Sequence, residues 1–210
     1  VASDRDENDF FGNSVSISAD YIVVGAEGEV SEEAGSAYIY ERQENGTWQE
    51  VQKIVASDRS AGDSFGCSVS ISGDYAIVGT IYESSDENGQ NELSYSGSAY
   101  IYERNQNGTW EEVQKIVASD RGTGDNFGNS VSISGDYIVV GAIDEDHDEN
   151  GQNELKNAGS AYIFELTNNS QSFTLSGNIS DGQNGVEGIQ VGNGSSTVTT
   201  DSNGDYEFPN

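Results

Sequence analysis

A phrase of sixteen residues, FGNSVSISGDYIVVGA at 127–142, recurs with little change as FGNSVSISADYIVVGA at 11–26 and as FGCSVSISGDYAIVGT at 65–80. Each copy is followed by GSAYIYER or GSAYIFEL, and the first two are then followed by NGTW and EVQKIVASDR. Phe11 to Phe65 spans 54 residues and Phe65 to Phe127 spans 62, a period in the range of repeat arrays. A chain written this way folds as an array, and its structure and function are set repeat by repeat.

Within a copy, Val131 and Ile133 alternate with Ser130, Ser132 and Ser134, the two-residue period of a strand whose two faces are both packed. Gly135-Asp136 makes a tight turn into YIVVGA, a second and more continuously apolar strand. AYIYER (99–104) reads as the third strand, and Asn107-Gly108 as a primed hairpin turn into TWEEVQKIVAS, the fourth. No segment carries a capped apolar pattern at helical spacing, so almost no helix is expected. Four-stranded meanders at this spacing fit propeller-type blades, each burying its faces against its neighbours. Ala37/Ile39, Ala99/Ile101 and Ala161/Ile163 are then expected at equivalent buried positions.

Phe-Gly, an apolar strand, Gly-Ala, then a Gly before a Tyr-rich strand resembles the FG-GAP repeats of integrin-α-type β-propellers and related bacterial surface proteins, over roughly residues 1–166. The Pro that would follow Gly-Ala is replaced by Glu27, Ile81 and Ile143. The calcium loop between the first two strands of integrin-like repeats is shortened to Gly-Asp or Ala-Asp, so the metal ligands of those repeats do not carry over. The resemblance implies blades at about 1–56, 57–118 and 119–166, the third without its TWEEVQKI strand. After a polar linker at 167–171, the order S-G-x-I-x-D, G-V-x-G-I-x-V, T-T-D-x-N-G-x-Y-x-F in 172–210 resembles a carboxypeptidase-regulatory-like or prealbumin-like β-sandwich, present in part. The expected fold is therefore all-β: a partial β-propeller followed by an incomplete β-sandwich unit. Val1 begins within VASD, the phrase that closes the fourth strand elsewhere, which reads as a processed or excerpted chain.

Eight Lys and Arg stand against 37 Asp and Glu, a net charge of −29. Such a chain lacks the basic face that nucleic acid or an anionic membrane requires. No run of about 18 apolar residues exists, so membrane insertion as a helix is not expected. Cations and other proteins remain as partners. The longer second period lies between the second and third strands, where repeats two and three share DENGQNEL. Asp146, Asp148, Asn150 and Glu154, with Gly151, place oxygen ligands in the order by which a tight turn wraps Ca²⁺. Ser84, Asp86, Asn88 and Glu92 form the same frame with one carboxylate fewer. The alternative is a solvated acidic loop in which Asn-Gly makes a turn.

The sole histidine, His147, lies in that loop without a second His or a Cys, which gives no support to a zinc or catalytic role. Cys67 stands where the other copies have Asn13 and Asn129, and reads as a small buried residue. Asn45, Asn107, Asn168, Asn178 and Asn193 head glycosylation acceptor patterns that serve equally as turns. The Arg of each SDR…GDxFG linker (Arg59, Arg121) is expected to pair with neighbouring carboxylates at a blade junction. No repeat introduces a nucleophile, base or metal triad, so no enzyme is expected. The reading is an extracellular or cell-surface, non-enzymatic structural protein that assembles with copies of itself or with adjacent repeats. The alternative is a Ca²⁺-organised adhesion module for a protein or glycan.

Overall fold

Alternating aliphatic and serine residues form the first strand of every repeat, and the two-residue turn after it sends the chain straight back. In the computed structural model the described residues are 2–4, 6–28, 34–146 and 155–166, with the backbone alone of 176–178, 190–192, 197–199 and 205–207. Contacts divide the chain into Val1–Leu166 and Thr167–Asn210.

The first unit holds three antiparallel sheets, and no helix occurs among the described residues. Blade one is β1 (Val15–Ser18), β2 (Tyr21–Ala26), β3 (Ser36–Arg42) and β4 (Trp48–Ile54), paired in chain order. Blade two is β5 (Phe65–Ser72), β6 (Tyr75–Thr80), β7 (Ser98–Arg104) and β8 (Trp110–Ile116), again a meander. Blade three has only β9 (Phe127–Ser134), β10 (Tyr137–Ala142) and β11 (Ser160–Glu165), as the missing TWEEVQKI predicts. The first hairpin of each blade turns on Ala19, Gly73 or Gly135, where φ is positive at the first loop residue only, as in a type II′ turn. The β7–β8 hairpin differs from the expected primed turn. Of Asn107 and Gly108 only the glycine has positive φ, and its N–H donates to the Asn105 carbonyl at 2.9 Å. A left-handed glycine closing a three-residue loop accounts for that geometry.

The phenylalanine of each FG is held by two aromatic rings of its own third strand. Phe65 meets Tyr100 and Tyr102 at 5.6 and 6.2 Å, and Phe127 meets Tyr162 and Phe164 at 5.4 and 6.0 Å, all edge to face. Such geometry adds roughly 1 kcal/mol per pair beyond area burial. One apolar cluster joins blades one and two, through Val23, Ile39, Val69 and Ile71 among others. A second, around Ile77, Ile101, Ile133 and Ile138, joins blades two and three.

In the second unit the described backbone gives two short antiparallel ladders, β12 (Ser176–Asn178) with β15 (Asp205–Glu207) and β13 (Gln190–Gly192) with β14 (Thr197–Thr199). The rest of the motif order that resembles a β-sandwich lies outside the described residues.

Candidate functional site

The junction between blades is where the repeat motifs meet. Gly25 of the first Gly-Ala faces Gly66 of the next FG so closely that a Cβ on Gly25 would stand 2.0 Å from the Gly66 carbonyl oxygen. Gly79 and Gly128 repeat this at the second junction, again at 2.0 Å. The FG phenylalanine reaches back across the junction as well. Phe65 N–H donates to the Ala34 carbonyl at 2.7 Å and Phe127 N–H to that of Ser96 at 2.9 Å. For blade one the described residues offer no such partner, and β1 accordingly begins at Val15 rather than at Phe11.

The serines cap the neighbour. The first strand of each blade is a sheet edge, whose free N–H groups need acceptors. Ser14, Ser16 and Ser18 accept from the N–H groups of Val69, Ile71 and Gly73 at 2.9, 3.2 and 3.2 Å. Ser70 and Ser72 do the same for Ile133 and Gly135 at 3.1 Å each. Farther out, the Gln52 side-chain amide accepts from Trp110 N–H at 2.8 Å and donates to its carbonyl at 2.7 Å.

These junctions leave two end faces. Val15 and Ile17 on blade one are exposed, as are Ser130, Ser132, Ser134, Tyr137, Val139 and Ile163 on blade three. Ala37/Ile39 and Ala99/Ile101 are buried as expected, but Ala161 and Ile163 are not. The reason is that among the described residues no fourth blade packs on theirs.

A second repeated constellation ties the linker before each blade to that blade's outer strands. Lys115 on β8 lies 2.8 Å from Asp58 and 2.9 Å from Glu83, and Tyr100 donates to the same two carboxylates at 2.7 and 3.1 Å. Burial is the largest single influence on both carboxyls and acts upward, but the Lys115 ammonium and the Tyr100 hydroxyl hold Asp58 below the usual carboxylate range, and the Ser85 N–H, the ammonium and the Ser84 N–H do so for Glu83. In blade one Lys53 meets Asp4 at 3.0 Å, and Tyr38 donates to Asp4 at 2.8 Å. In blade three Tyr162 donates to Asp120 at 2.7 Å and to Glu145 at 3.4 Å. No Lys or Arg follows Lys156 in the sequence, and β11 pairs only with β10 among the described residues. Sequence reasoning missed this constellation. Its signal is a Lys recurring between Gln and Ile in an otherwise apolar-facing strand, in step with a Tyr and an Asp.

The aspartate of each GDxFG or NDFFG caps its own turn, accepting from the N–H three residues before it: Asp6 for Asp9, Ser60 for Asp63 and Gly122 for Asp125. Burial pushes Asp63 up to about 6, and Asp125, buried beside Glu145, likewise to about 6. Both values lie above the unfolded one near 4. Their contribution to stability is therefore full below about pH 4 and is lost as pH rises through about 6. Asp63→Asn keeps an acceptor for Ser60 and removes the buried charge. It should raise stability at neutral pH by about 1–2 kcal/mol and flatten its pH dependence between about 4 and 6, as urea unfolding at several pH values would show.

Among the described residues Arg121 pairs with no carboxylate. It donates to the carbonyls of Ser84 and Asn91 at 2.7 and 3.3 Å and to Ser96 Oγ at 3.0 Å, because loop 84–96 turns those oxygens towards the linker. Within that loop Asp86 accepts from the N–H groups of Asn88 and Gln90, each at 2.9 Å, and from Asn91 Nδ2 at 2.5 Å. The Gln90 N–H, followed by those from Asn91 and Asn88, lowers the Asp86 pKa. Ser84 Oγ accepts from Tyr95 N–H at 3.3 Å, Asn88 Nδ2 donates to Glu87 at 3.2 Å, and Glu92 is exposed. Glu87, Asn88 and Gly89 line an open cleft of about 550 Å³ together with Glu112 and Lys115. Of the blade-three frame, Asp146 accepts from Asn157 N–H at 2.5 Å. Asp148, Asn150, Glu154 and His147 lie outside the described residues. Among the described residues no three His, Cys, Asp or Glu side chains gather to hold a metal.

Cys67 is a free thiol that donates to the Gly128 carbonyl at 3.6 Å, and enclosure pushes its pKa up to about 12, away from nucleophilic chemistry. Asn45 accepts from Thr47 N–H and Oγ1 at 2.9 and 2.7 Å, within its hairpin. Asn107 donates its backbone N–H to Asn105 at 3.0 Å, in the equivalent hairpin. Asn178 ends β12, and Asn168 and Asn193 lie outside the described residues.

No curated protein matches the chain. The model of a family described as the FG-GAP repeat matches residues 1–40, 48–102 and 110–164, most of the chain, each span holding the first three strands of one blade and the second and third spans also the fourth strand of the blade before. With the FG, Gly-Ala and Gly-Ser glycines converging at each junction of this β-propeller-like module, the chain belongs to the FG-GAP repeat family.

Proposed function

We propose that the chain is an extracellular, non-enzymatic structural or surface module, and that it works by assembling with further blades supplied by copies of itself or by adjacent repeats. The observation that carries this reading is the pair of end faces, apolar and exposed on blades one and three where the equivalent residues elsewhere are buried. Exposed apolar patches of this kind mark association surfaces. The charged groups support a non-enzymatic role: the buried Lys115 and Glu83, the more exposed Asp58 and the turn-capping aspartates are all engaged in holding linkers and loops.

The second reading is an adhesion module in which acidic loops organised by Ca²⁺ bind a protein or glycan. It is favoured by the position of loop 86–89 along an open polar cleft. Electron microscopy of the native material, with and without a calcium chelator, separates the two. Filaments or rings that survive chelation are the expected result. Monomers that bind a glycan or protein only when Ca²⁺ is present would replace the first reading by the second.

A further inference from the structure

We propose that the outward face of blade three and the outward face of blade one are two halves of one further junction, formed head to tail between copies of this chain. The proposal rests on the assembly reading above and assigns its contact.

Each face lacks what the other carries. Val69 and Ile71 are 6% and 4% exposed because blade one covers them, whereas the equivalent Val15 and Ile17 are 64% and 62% exposed. Ile39 and Ile101 are 0% and 2% exposed beneath the following blade, whereas Ile163 is 75% exposed. The polar complement is as specific. At the internal junctions serine hydroxyls of one blade accept the edge N–H groups of the next. Blade three carries the exposed acceptors Ser130, Ser132 and Ser134, and blade one carries the edge strand that includes Val15 and Ile17. The glycine contact is divided in the same way: Gly12 has nothing within 4 Å of a built Cβ, and Gly141 has only Ser130, at 3.8 Å.

Because the two faces are different surfaces, the contact is heterologous and propagates or closes into a ring rather than forming a two-fold dimer. Among the described residues blade three has no counterpart of Gln52 to clasp Trp48 from outside. The intermolecular junction is thus weaker than the internal ones, and association should depend on concentration.

Gly141→Ala tests this without disturbing the monomer. Its Cβ meets only Ser130, at 3.8 Å, in the free chain, but at the matching internal positions a Cβ would stand 2.0 Å from the incoming FG carbonyl. In sedimentation velocity the wild-type chain should associate as its concentration rises. Hydrogen exchange should slow at the Val15 and Ile17 amides as it does. Gly141→Ala, with an unchanged thermal midpoint when dilute, should weaken association by about tenfold or more. Association of Gly141→Ala equal to that of wild type, or protection mapping elsewhere, would overturn the proposed contact while leaving assembly standing. A wild-type chain that stays monomeric throughout would overturn the contact and assembly between copies alike, leaving adjacent repeats as the source of further blades.

Discussion

Replacing Gly79 by alanine is expected to split the third blade from the second, although it adds a single methyl group. The new Cβ would stand 2.0 Å from the Gly128 carbonyl oxygen and 2.3 Å from Ser68 Oγ, which itself donates to that carbonyl at 2.7 Å. Ser68 Oγ can turn away by changing its rotamer, but the Gly128 carbonyl cannot, since it belongs to the backbone of β9. Overpacking that ordinary side-chain movement relieves costs about 1–3 kcal/mol. Here the FG strand has to withdraw, taking with it the N–H bond from Phe127 to Ser96 and the serine contacts to Ile133 and Gly135. A loss of about 3 kcal/mol or more follows, a large share of the ~5–15 kcal/mol that a domain possesses. Urea unfolding should show a separate early transition, and hydrogen exchange should show amides of β9 and β10 opening while those of β5 to β8 stay protected. A single transition at the wild-type midpoint would mean that the blades are not joined through this contact.

The same contact explains what could and could not be read from the sequence. Repetition was enough to count blades, place the strands and foresee that blade three lacks its outer strand, because those features follow from local alternation and turn residues. The serine ladder was legible only as alternation. Ser14 and the N–H of Val69 lie 55 positions apart in the chain, and nothing local says that a small hydroxyl is there to cap another sheet's edge. The Gly-Ala glycine was legible as a motif, but its reason, a next blade so close that a Cβ would stand 2.0 Å from its carbonyl oxygen, is tertiary. Arg121 was misjudged because a charge count favours carboxylates, whereas a folded loop presents whichever oxygens its backbone directs outward. Ile163 was placed by equivalence with Ile39 and Ile101, and equivalence fails at the end of an array, where the covering neighbour is the missing term.

Lys115→Met should be far more damaging than Lys53→Met, though the two lysines occupy the same position in successive blades. The Lys115 side chain is 5% exposed and that of Glu83 also 5%, with Asp58 at 32%, while Lys53 and Asp4 are 30% and 47% exposed. An exposed pair contributes about 0–1 kcal/mol. Removing one member of a buried set leaves the remaining charge uncompensated, at a cost of about 3–5 kcal/mol. Methionine preserves most of the aliphatic stem over the Tyr100 ring, so the difference reports the ammonium rather than a cavity. The pH dependence should weaken as well. In the wild type the folded pKa values of Asp58 and Glu83 lie below their unfolded ones, so their stabilisation is present above the unfolded values and is lost as pH falls through the folded ones. Without the ammonium, burial still raises the Glu83 pKa and the Ser85 and Ser84 N–H groups still lower it, so its folded value moves up towards the unfolded one. The variant should therefore lose less stability than the wild type as pH falls from neutral towards about 3. Equal midpoints for the two methionine variants across that range would show that the buried set carries no more weight than the exposed pair.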